Sequence, residues 1–159
     1  MNVSRMFSKM GGQRIKAASS GAVSLDDIMK SGVRGQPDVA ALASIEAKKL
    51  AVMIWHYHDD DLLSPDAQVE LALVGLPVAN GEATLRQYRI DAEHSNAFVA
   101  WQKMGSPTAP NDRQYEQLLK AGQLAQFGLP EKIIVTDGKT IVKINLPRQA
   151  VSLLTLERN

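Results

Sequence analysis

Leu50-Ala51-Val52-Met53-Ile54-Trp55 is an unbroken apolar run that passes into the alternating His56-Tyr57-His58 and then into Asp59-Asp60-Asp61. A run this short, rich in large and β-branched side chains and ending in acidic residues, reads as a buried central strand opening into a polar loop. Two further stretches alternate with period two, Val69-Glu70-Leu71-Ala72-Leu73 and Ala83-Thr84-Leu85-Arg86-Gln87-Tyr88-Arg89-Ile90, so one face of each turns inward. Gly75-Leu76-Pro77 and Asn80-Gly81 supply turns between them, and Asp137-Gly138 sits between Lys132-Ile133-Ile134-Val135 and Ile141-Val142-Lys143-Ile144 as a hairpin signal. A last apolar strand spans residues 150–156. Seven or eight short strands without an alternating βα pattern predict a mainly β chain built as an antiparallel sandwich.

Helical spacing appears only at the start and in one interruption. Val3, Met6, Phe7 and Met10 line one side of a short N-terminal helix, which Gly11-Gly12 should stop, and residues 14–18 then read as extended. Ser24 precedes Asp26 and Asp27 as the cap of a brief helix that Gly32 and Gly35-Gln36-Pro37 close. Between Glu93 and Gly128, Phe98, Trp101 and Met104 mark one helix, and Tyr115, Leu118, Leu119 and Leu124 mark another. Asn96 and Asn111 are the expected caps, with Pro107 and Pro110 between. This predicts a small two-helix insertion at about residues 95–122, of the kind that serves function or packs on a neighbour.

Composition narrows the class. A formal charge of +1 over 159 residues argues against nucleic acid as a partner, and no apolar run reaches the roughly 20 residues a membrane helix needs. With no cysteine, disulfides and thiolate metal sites are excluded. The first residues lack the apolar core of a signal peptide, so a cytoplasmic chain is expected.

Three clusters carry possible chemistry. His56, His58, Asp59, Asp60 and Asp61 are the densest set of metal-ligand types, with His56 and His58 on one face of a strand. Zinc and calcium demand a fixed set of ligands, and consecutive aspartates at a strand end more often solvate a turn, so no metal is expected. Asp91, Glu93 and His94 are the candidates for catalysis, since a carboxylate pair with a tuning histidine suits glycoside hydrolysis. The competing and weightier reading makes them helix caps, with Asp91 or Asn96 holding backbone amides and His94 satisfying a buried carbonyl. Asn96 and Trp101 are the candidates for sugar binding. Trp55, inside its apolar run, is expected in the core. The glycine pairs fit no phosphate loop, and no cofactor is expected.

Three stretches together resemble a known family: Ile54 to Asp61, the run Asp91-Ala92-Glu93-His94-Ser95-Asn96-Ala97-Phe98-Val99-Ala100-Trp101-Gln102-Lys103-Met104-Gly105-Ser106-Pro107, and Leu146-Pro147-Arg148-Gln149-Ala150-Val151-Ser152-Leu153-Leu154. They are similar to the C-terminal part of glycoside hydrolase family 39 β-xylosidases, over residues 2–157. The resemblance implies that residues 1–12 correspond to the last helix of a (β/α)8 barrel and residues 13–159 to the β-sandwich behind it. The family's acid/base and nucleophile glutamates would lie upstream of Met1, leaving no counterpart here. The parent activity it implies is retaining hydrolysis of β-1,4-xylo-oligosaccharides to xylose, with weak or no turnover from this chain alone. The alternative is a non-catalytic carbohydrate-binding or scaffolding module. Apolar faces that would cover a barrel also lead to an expected homo-oligomer.

Overall fold

The computed structural model describes residues 2–60, 62, 64–77 and 79–157. Eight strands and four helices follow one another as α1 (Asn2–Phe7), β1 (Gln13–Ile15), α2 (Leu25–Ser31), β2 (Asp38–Glu46), β3 (Lys49–Tyr57), β4 (Ala67–Val74), β5 (Gly81–Ile90), α3 (Ala97–Lys103), α4 (Asp112–Ala121), β6 (Glu131–Val135), β7 (Lys139–Leu146) and β8 (Ala150–Glu157). Every strand pairing is antiparallel. Six strands form one sheet in the order β1-β2-β3-β8-β5-β6, and β4 with β7 forms a second.

Side chains alternate across each strand, which makes two cores from one sheet. Leu50, Val52 and Ile54 of β3 and Leu154 and Leu156 of β8 face the small sheet, where they meet Leu73, Val142, Ile144 and Leu146. This is the sandwich interior. Ala51 and Met53 of β3 and Leu153 of β8 point to the other face, where Met6 of α1 covers them and is itself fully buried. The expected apolar stripe on α1 is thus divided. Met6 is in the second core, whereas Val3 and Phe7 remain exposed.

The short N-terminal helix ends earlier than its glycines suggest. After Phe7 the chain tightens, with Lys9 N–H donating to the Met6 carbonyl and Met10 N–H to that of Phe7, the i→i−3 pattern of a closing 3₁₀ turn. Gly12 has a different task. It holds a left-handed backbone (φ 71°) against β2, where a β-carbon would collide with the Ile45 carbonyl. Of the extended stretch expected at residues 14–18, only residues 14 and 15 join a strand.

Three expectations need correction. Trp55 is not a core residue: it lies on the outer face of β3, half-buried, with Nε1 donating to Asp38 Oδ2 at 2.7 Å, because strand parity puts position 55 with Ala51 and Met53 rather than with Ile54. The Asp137-Gly138 turn forms as expected, both residues having positive φ, yet its flanking strands separate into different sheets after one bridge, Thr136 to Lys139. The turns between β4 and β5 likewise carry the chain from the small sheet to the large one. β2 has no counterpart among the expected strands, since Asp-Val-Ala-Ala-Leu-Ala-Ser-Ile-Glu has an alanine content that favours helix locally. Pairing with β3 along its full length overrides that preference.

Candidate functional site

The residues singled out between Asp91 and Trp101 form a compact knot where β5 hands over to α3. Asp91 is buried, and its Oδ1 accepts from Glu93 N–H at 2.8 Å and His94 N–H at 2.7 Å. The His94 ring closes the same turn, Nδ1 lying 2.8 Å from Oδ1 and 3.1 Å from Oδ2. Burial pushes the Asp91 carboxyl up, but the Glu93 amide, the His94 ring and the His94 amide together outweigh it and hold the group below its ordinary value. Asp91 is thus an anion engaged by its own turn. Glu93, two residues on, faces solvent.

Asn96 caps α3, Oδ1 accepting from Val99 N–H while Nδ2 donates to the Asp91 carbonyl. The capping reading therefore applies to Asn96 at the helix and to Asp91 at the turn before it, and His94 serves Asp91 rather than a buried carbonyl. Ser95, in a left-handed conformation (φ 56°), is buried and accepts from Ala125 N–H. Trp101 is half-buried, stacks on Phe98 with centroids 5.7 Å apart, and donates from Nε1 to the Pro107 carbonyl. On α4, Asn111 and Gln114 form a reciprocal capping box.

Two members of this knot were not among the sequence candidates. The Arg89 guanidinium lies 3.8 Å from the Phe127 ring centroid and donates to the Asn145 carbonyl, and His94 meets the same ring edge-on at 5.0 Å. Burial holds the Arg89 guanidinium below its ordinary value against the pull of Asp91 and Asp66. The signal for Arg89 was legible: in the alternation of β5 it shares the inward face with Ala83 and Leu85, where an arginine requires partners.

The histidine and aspartate cluster is dispersed apart from one side-chain contact, His58 Nδ1 lying 3.2 Å from Asp60 Oδ2. His56 is buried in β3 with Nδ1 2.9 Å from the Leu146 carbonyl. His58, beyond the strand, has Nε2 3.2 Å from the Arg34 carbonyl and Nδ1 3.2 Å from the Asp60 amide. Asp60 pairs with Arg148 at 2.6 Å, and Asp59 with Arg34 and the Val33 amide. Asp61 lies outside the described residues. Among the described residues, no three His, Asp or Glu side chains converge as metal ligands would, and no helix is long and apolar enough to cross a membrane.

The α1, α3 and α4 helices assemble over the outer face of the large sheet. Arg5 donates to the Gly122 carbonyl, Asn2 to that of Ser95, and Lys9 stands 4.6 Å from the Tyr88 ring centroid. They enclose an open groove of about 630 Å³ with Val3, Ala97, Tyr115, Leu118 and Leu119 along it. Its lining suits apolar contact. It brings no carboxylate pair into a sugar-sized cleft, which is what glycoside hydrolysis requires.

A family model described as glycosyl hydrolases family 39 matches residues 1–127. Among solved structures, the fold is similar to a GH39 enzyme from Xanthomonas axonopodis pv. citri, with a TM-score of 0.65 and 19% identity over 80% of this chain and 28% of that one. It is also similar to a monomeric beta-xylosidase from Caulobacter crescentus CB15, with a TM-score of 0.59 and 21% identity over 81% of this chain and 29% of the other. A bacterial orthologue of human α-L-iduronidase gives a TM-score of 0.60 and 17% identity over 84% and 23% of the two chains. No curated protein matches the chain significantly. At these identities the likeness is one of fold, and the chain spans less than a third of each of those structures.

Proposed function

Because the chain belongs to glycoside hydrolase family 39, we propose that it is the accessory β-sandwich of a β-xylosidase-type glycosidase, whose hydrolysis of xylo-oligosaccharides is carried by catalytic carboxylates outside residues 1–159. By itself the chain has weak or no turnover. The observation that carries this reading is the Asp91 carboxylate: buried, ionised and committed to three donors of its own turn, it is placed to hold the β5–α3 junction rather than to attack an anomeric carbon. In a retaining mechanism the nucleophile must reach that carbon while a second carboxyl group stands roughly 5 Å away. Glu93, the nearest carboxylate in sequence, is exposed to solvent.

The test is hydrolysis of an aryl β-xyloside by the purified chain beside its Asp91→Asn, Glu93→Gln double variant. Equal, background release of the phenol is expected from both. Release by the unaltered chain that disappears in the double variant would return these residues to catalysis.

The proposal extends to association. Val3, Phe7, Phe98, Tyr115 and Leu119 are large apolar side chains at least two-fifths exposed, and they lie on α1, α3 and α4. Exposed apolar surface of this kind recruits a partner. In the isolated chain the available partner is a second copy, so light scattering should give a dimer mass, and Phe7→Glu with Leu119→Glu should return a monomer. A monomer for the unaltered chain at high concentration would contradict it.

A further inference from the structure

The two sheets are unequal, and the shortfall falls in one place. On β7 the inward residues Val142, Ile144 and Leu146 are buried, yet their cross-strand neighbours on β4, Leu71, Val69 and Ala67, remain half-exposed. The large sheet repeats the asymmetry. Leu50 and Ile54 of β3 are buried, whereas Ile45 and Ala41 opposite them on β2 are half-exposed. A row of apolar side chains is wanting beside β4 and above β2.

That row has a space and an unpaired backbone next to it. Three cavities of about 150, 330 and 300 Å³ follow one another along β4 from Leu76 to Pro65, each sharing lining residues with the next. Val39, Ala41 and Ala43 form the floor; β4 is one wall, and residues 16–21 are the other. The second wall is anchored to β2, with Val39 N–H donating to the Gly21 carbonyl and Ser19 Oγ to the Val39 carbonyl. β4 pairs with β7 alone, and among the described residues no backbone hydrogen bond reaches its other edge. Eight residues of open edge are about 26 Å of unpaired donors and acceptors. Natural edges left in water are usually blunted by proline, a bulge or an inward charge. The inward residues of β4 are Ala67, Val69, Leu71 and Leu73, and its nearest prolines, Pro65 and Pro77, fall outside the strand.

We propose that this slot takes up one extended strand, supplied by polypeptide outside residues 1–159, which pairs with β4 as a third strand of the small sheet and sets alternate apolar side chains on the β2 floor. The chemistry follows from the lining. Unpaired peptide groups beside an apolar floor recognise a strand through its backbone and through every second side chain. Among the described residues along the slot, Lys16 and Glu70 are the only Lys, Arg, Asp or Glu, and Glu70 pairs with Lys143, so the inward row of the incoming strand is uncharged. The described residues already have places in the fold, and the similar solved structures carry more than twice as much chain. The wall at residues 16–21 favours a strand laid lengthwise over the flat edge of a second copy.

The experiment uses the intact chain and a panel of labelled eight-residue peptides in which valine alternates with threonine, glutamine or lysine. Binding is followed by fluorescence anisotropy and amide hydrogen exchange. Without peptide, the β4 amides that face away from β7 should exchange freely while the intervening ones are protected. Bound peptide should slow the free set at least tenfold and leave α3 and α4 unchanged. Ala41→Arg, in the floor, should weaken binding at least tenfold at an unaltered melting midpoint. The register supplies a control independent of any variant: peptides N-methylated on one alternate set of amides should bind like the parent, and those methylated on the other set should not bind. Concentration-dependent protection of both β4 amide sets without peptide would give the edge to a second copy. Failure of every peptide to bind saturably, or equal binding by both methylated forms, would remove strand addition.

Discussion

Leu153→Ala is expected to lower the melting midpoint by about 6 to 15 °C, the largest effect of any single truncation in the second core. Leu153 is fully buried at the centre of the outer face of the large sheet, in the cluster with Met6, Ala51 and Met53. A leucine enclosed on all sides costs about 2 to 5 kcal/mol when cut to alanine, because the surroundings close only partly over the gap. For a chain of this size each kcal/mol moves the midpoint by about 3 °C. Trp55→Ala should cost less despite removing more atoms, since its half-buried site opens to water rather than leaving a sealed cavity. Circular dichroism melts of the two variants read the difference. A Leu153→Ala shift of under about 2 °C would mean that α1 does not cover this face in solution.

Asp91→Ala should destabilise the chain by about 1 to 3 kcal/mol at neutral pH, because the amides of Glu93 and His94 lose their acceptor and the β5–α3 turn its centre. The effect has a pH signature. Asp91 titrates lower in the folded chain than the ordinary carboxylate value of about 3.9. Folding therefore holds the ionised form more tightly than the unfolded chain does, and this stabilisation is complete above pH 4 and declines as the pH falls through the lower folded value. Melts from pH 7 to pH 2.5 should show the unaltered chain losing its advantage over Asp91→Asn across the acidic end. A gap that stayed constant to pH 2.5 would show that charge on Asp91 contributes nothing to the junction.

The parts of the fold that could be read in advance are those where one local signal decides. The apolar run at 50–55 became the interior strand β3, the alternation at 83–90 became β5, and Ser24, Asn96 and Asn111 cap the helices expected of them. Two levels were hidden. Sheet membership cannot be read from a turn, so Asp137-Gly138 marked a reversal without revealing that β6 and β7 part into different sheets. β2 was hidden for the opposite reason, since its alanines favour helix and only β3 beside it makes it a strand. At the candidate site, Asp91, His94 and Asn96 were picked out as chemically rich residues, and the structure brings all three into one turn. Their partners Arg89 and Phe127 come from positions 38 residues apart, a proximity that follows from packing rather than spacing.

Covalent trapping tests most directly the proposal that this sandwich has no glycosidic nucleophile of its own. A retaining glycosidase forms a glycosyl–enzyme ester on its nucleophilic carboxylate, and a 2-deoxy-2-fluoro-β-xyloside with a good leaving group arrests the reaction there. Intact-mass analysis of the chain after prolonged incubation with that reagent should show the unmodified mass. A stoichiometric fluoroxylosyl adduct, mapped to Asp91 or Glu93, would contradict the account.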